Sequence, residues 1–171
     1  MASNTVNKET GAQAQGKPAN AAAILFNVAT EIDLLREPLK TLAFSAATLA
    51  REPNSGELRH TVAEAWTRVR SIIERHSDKG DQALLAEAAS HPGFHAQAVE
   101  RIRALVHRAR DLVRDLTGVS LETGGDQQVA EAARTLHNLT IVLDDIISAE
   151  EGDLLPALRR LLYSRETHKG S

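Results

Sequence analysis

The chain contains no cysteine. Disulfides, iron–sulfur ligation and thiol redox chemistry are therefore excluded from it, and the redox compartment stays undecided. Aromatic residues make up only 3%, so Leu, Ile, Val and Ala must build any core. Charge of one sign is also lacking. The formal net charge is -3, with acidic and basic residues interspersed, which gives no electrostatic case for nucleic acid or an anionic membrane. No early apolar stretch is long enough for a signal peptide or a membrane span, and the expected location is the cytoplasm. There is no Gly-rich phosphate loop and no nucleophile elbow, nor a strand pattern to carry one. The expectation is a protein that is not an enzyme.

What is present points to helix. The 171 residues are 42% hydrophobic, enough for one domain with a real core. Ala, Leu, Glu and Arg dominate, and these favour helix. Residues 1–19 lack apolar periodicity and read as a disordered tail. Residues 164–171 read as a flexible C-terminal tail, which leaves 20–163 as the folded domain. Turn residues cluster at Arg51 to Gly56, at Ser90 to Gly93, and from Thr117 to Asp126. Asn54 with Glu57 three residues later predicts a capping box at the second helix.

Four segments between these marks carry apolar residues at alternating steps of four and three. The first runs Val28, Ile32, Leu35, Leu39, Leu42, Ala46 and Leu49. The second runs Leu58, Val62, Ala65, Val69 and Ile72, and continues to His76 and Gly80. The third runs Val99, Ile102, Val106, Ala109, Val113 and Leu116. The fourth runs Ala132, Leu136, Leu139, Leu143, Ile146, Glu150 and Leu154. These stripes predict an all-α protein, an antiparallel up-down-up-down four-helix bundle. Pro38 and Pro156 fall inside helical patterns and should kink or restart them. His76 and Glu150 stand on core beats among aliphatic neighbours, where each needs a partner, and each is the other's natural one across the bundle.

Asp144-Asp145-Ile146-Ile147-Ser148-Ala149-Glu150-Glu151-Gly152-Asp153-Leu154-Leu155-Pro156 resembles the last metal-binding helix of the hemerythrin-like, histidine–histidine–glutamate cation-binding family. That family writes His-Ile/Val-x-x-Glu-Glu, an acidic spacer, then Leu-Leu/Phe-Pro. The resemblance extends over roughly residues 30–162. Ile32 to Glu37 is similar to the opening helix, and Ile72 to Leu85 to the second, His-x-x-x-Glu-Glu followed by an apolar pair and Pro. The third helix is aligned through Leu112, Val113 and Leu116. The resemblance implies histidine ligands at the places of Leu39, Val106 and Ile146, and a glutamate at Gly80. Three of the four hold aliphatic side chains and one holds none.

The family positions that survive are His76, Glu150 and Glu151, too few to hold two irons. Filling the other slots with aliphatic carbon restores close packing and removes unpaired ligands. The expected function is therefore a non-catalytic hemerythrin-like bundle that has lost its metal centre. It would act as a binding, regulatory or structural module without a cofactor, through a protein partner or self-association. The alternative is a non-heme iron protein, binding oxygen or sensing redox state with displaced ligands, His107 beside the Val106 slot being the candidate. His60 and His137 read as flank or surface residues, and His91-x-x-x-His95 is interrupted by Pro92 and Gly93. A third reading comes from His76-Ser77-Asp78-Lys79-Gly80, which resembles the His-x-x-Lys-Gly of histidine phosphotransfer domains. Asp78 stands there where an apolar residue is preferred. Trp66, next to the Ala65 beat, reads as a core-flanking residue.

Overall fold

The computed structural model describes residues 21–76, 82–90 and 96–160. Helix α1 spans Ala21–Leu49, α2 Gly56–His76, α3 Gln82–Ala89, α4 Ala96–Asp115 and α5 Asp126–Ala149. A π-helical turn, Glu150–Leu154, follows α5, and α-helical geometry continues over 155–160. There are no strands among the described residues. Four of the helices are long, and α3 is a short extra one. Both expected tails lie wholly outside the described residues, as does Gly80.

The apolar stripes are the packing surfaces. On α1, Val28, Leu42, Ala46 and Leu49 are completely buried, and Ile32, Leu35 and Leu39 nearly so. On α5 the full series from Ala132 through Leu136, Leu139, Leu143 and Ile146 is buried. Val62 and Val69 of α2 and Ile102 of α4 complete the same cluster. Among the described stripe residues only Leu58 and Val113 are no more than half-buried, each near a helix end. Helix α1 packs on α2 and on α5, and α5 packs on α4, whereas α2 and α4 scarcely meet. The four long helices therefore enclose a core that is loosely closed along one flank.

Three local features differ from the sequence expectation. First, α2 is capped by Ser55, whose hydroxyl accepts from the Leu58 N–H at 3.4 Å. The cap sits one residue after Asn54, so Glu57 occupies the second helical position and no capping box forms. Second, the long second segment ends as α2 at His76, and Gln82 begins a separate helix. Third, α1 continues through Pro38. The carbonyl that loses its donor is that of Leu34, an exposed residue, where water can replace the missing N–H. Pro156 has the larger effect. Immediately before it the Leu155 N–H bonds to the Glu150 carbonyl, five residues back, and this wider turn adjoins the residue that cannot donate.

Candidate functional site

A cavity of about 220 Å³ lies among all four long helices. Ile32 and Leu35 from α1, Ile72 and Ile73 from α2, Val106, Ala109 and Val113 from α4, and Leu143, Ile146 and Ile147 from α5 make its apolar wall. Four charged residues also line it: Glu31, Glu74, Arg110 and Glu150. Glu74 and Arg110 are exposed, which puts the mouth on the flank where α2 and α4 fail to close. Glu150 is only 1% exposed, so its carboxylate belongs to the interior wall.

The helix geometry explains this placement. Leu139, Leu143, Ile146 and Glu150 follow one face of α5 at steps of four, three and four. Glu150 is thus carried inward by the same periodicity that buries the leucines. Its neighbour Glu151 lies a hundred degrees around the helix and is exposed, paired with the guanidinium of Arg36 from α1. The hydrogen bond and charge of Glu151 hold the Arg36 pKa above its ordinary value. Two buried hydroxyls elsewhere in the core are satisfied within their own helices: Ser45 donates to the Thr41 carbonyl and Thr140 to the His137 carbonyl, both at 2.7 Å.

The sequence-predicted positions separate into three groups. Val106 and Ile146 come together on the cavity wall. Leu39 is buried, but at the α1–α5 seam, where it lines a different groove with Arg36 and Asp145. The His76 side chain, Gly80, His91 and His95 lie outside the described residues, and so does the expected His76–Glu150 pairing. Of that set only the Glu150 carboxylate is described in the interior. His107 is the candidate of the alternative reading only. It is exposed on α4, because the rotation that buries Val106 carries the next residue out to solvent, and it does not reach the cavity. His137 is half-buried, its ring 3.3 Å from the Ala43 carbonyl, and His60 is exposed, both as flank or surface residues. Among the described residues no three His, Asp or Glu side chains gather where they could hold a metal ion.

Two features were missed. One is the cavity itself. The other is Arg59, whose side chain is 12% exposed and which ties the α4–α5 connection to α2. Its guanidinium donates to the carbonyls of Pro53 at 2.6 Å and Gly124 at 2.7 Å, and pairs with Asp126 at 2.6 Å. The cue in the sequence was an arginine beside the Leu58 core beat, facing a turn rich in glycine. Trp66 is half-buried against the core, as a core-flanking residue should be. It also lines a groove formed with Leu121 of the α4–α5 connection. No family model, no curated protein and no solved structure matches this chain.

Proposed function

We propose that the chain is a non-catalytic binding module, an antiparallel up-down-up-down bundle of hemerythrin-like outline that has lost its metal centre. The observation that carries this reading is the composition of the cavity wall. Val106 and Ile146 supply carbon at two of the places where the resemblance expects nitrogen ligands, and ten apolar residues surround the space. A two-iron centre needs several nitrogen and oxygen donors at bonding distance. The described residues offer one buried carboxylate, and Glu151 turns away to Arg36. They do not fit such a centre. What remains is a concave, largely apolar space with a few polar groups at its edge, the usual character of a small-molecule site.

Metal analysis tests the reading. Protein purified from iron-supplemented cells is expected to be colourless, to contain well under one iron per chain, and to keep its melting temperature in the presence of a chelator. Near-stoichiometric iron with an oxo-bridged absorption band overturns it.

A further inference from the structure

We propose that the four-helix cavity takes a compact, uncharged apolar molecule. A single ring with a short arm, or a branched chain of similar bulk, is held by contact with Leu35, Val106, Ala109 and Ile146 and by no charged anchor. This rests on the cavity being the binding site, and adds the chemistry of the ligand.

Size limits the ligand first. The cavity holds about 220 Å³. An apolar protein cavity of about 150 Å³ accepts benzene, whereas drug-sized ligands occupy sites of about 300 Å³ or more. A ring bearing a few further carbons fills the space, and a drug-sized molecule exceeds it. The wall then sets the polarity. Leu35, Ile72, Val106, Ala109, Leu143 and Ile146 present aliphatic carbon from all four helices, and each is buried. A hydrocarbon body among them is withdrawn from water on every side. No aromatic side chain lines the space among the described residues. A ring is therefore selected by its bulk and its lack of polar groups, not by stacking.

The polar groups around the space are otherwise engaged or in water. Glu74 and Arg110 are exposed at the mouth, and Glu74 is held by Arg70 at 2.7 Å. Glu31 and Glu150 each have an interaction of their own within the protein. An ammonium or carboxylate moving inward gives up its hydration, and the aliphatic wall returns nothing for the lost water. A molecule without charge has no such cost and keeps the whole gain of burial.

Three probes of similar shape separate the classes: toluene, benzylamine and benzoate. Each is titrated into the full chain labelled with nitrogen-15, and amide shifts of α2, α4 and α5 are followed. Toluene is expected to shift the amides around Val106 and Ile146. It should bind at least about tenfold more tightly than either ion, because burying an ion without a partner costs more than that ratio. Val106→Phe fills the space and should abolish toluene binding. Ala109→Leu adds less bulk to the same wall, should weaken it, and serves if the phenylalanine variant does not fold. Toluene binding unchanged in a folded, filled variant places the probe elsewhere and overturns the proposal. Equal or tighter binding of benzylamine or benzoate overturns the uncharged class and leaves the cavity as a binding site. If none of the three binds, the proposal falls and the binding reading falls with it.

Discussion

At Glu150 and Glu151 two identical side chains meet opposite surroundings because one residue step turns the helix by about a hundred degrees. The first follows Leu143 and Ile146 into the core, and the second reaches Arg36 at the surface. The inward position of Glu150 was legible in the sequence, since it falls on the same beat as Leu139 and Leu154. The Arg36 contact was not, because it joins residues far apart along the chain and depends on how α1 lies against α5. His60 shows the same limit. Its ring sits 3.1 Å from Glu122 on the α4–α5 connection and 3.8 Å from Glu64. The hydrogen bond to Glu122, then the charge of Glu64, raise its pKa. A histidine raised in the fold stabilises while protonated. That contribution is full below its unfolded pKa of about 6.5 and disappears as pH climbs through the folded value. The groups are exposed, so the effect is small. Wild type should melt higher than His60→Gln in mild acid, and the two should converge in alkali. A gap that widens with rising pH would contradict this contact.

Between elements, connections were less legible than helices. The periodicity of α1 or α5 repeats over six or more turns, so one misread residue hardly matters, whereas a cap depends on a single backbone angle. At α2 it is Ser55 rather than Asn54 that takes the cap. The turn before α5 is built by close approach. A Cβ on Gly124 would lie 2.5 Å from the Ser120 carbonyl oxygen, so only glycine fits there without a shift of backbone. Arg59 then fastens this turn through the Gly124 carbonyl and Asp126, while also holding Pro53. Arg59→Met keeps the length of the side chain but removes these donors. It should destabilise the fold by about 2 kcal/mol, the range for hydrogen bonds from a charged group that leave part-buried acceptors behind. Denaturant melts check this, and a change within experimental error would mean that water replaces the guanidinium at no cost.

For the molecule as a whole, the sequence showed which side of each helix turns inward, but not whether opposing side chains meet. Val106 and Ile146 were readable as core residues, yet the space between them is a property of four backbones together. The same is true of the flank: α1 and α5 each pack on two long neighbours, whereas α4 packs chiefly on α5 and scarcely touches α2. Local opening follows the density of such packing. Native-state hydrogen exchange should therefore find the slowest amides in the buried middle of α1 and α5, near Leu42 and Leu136, both completely buried. Helix α4 should open at the lowest free energy of the four long helices, since its one extensive interface, with α5, is smaller than the one that joins α2 to α1. The cavity wall loses Val106, Ala109 and Val113 in that opening, so the motion that exposes α4 also opens the path to Glu150. Protection equal in all four helices would show that α2 and α4 close on each other in solution, and a ligand would then need another way in.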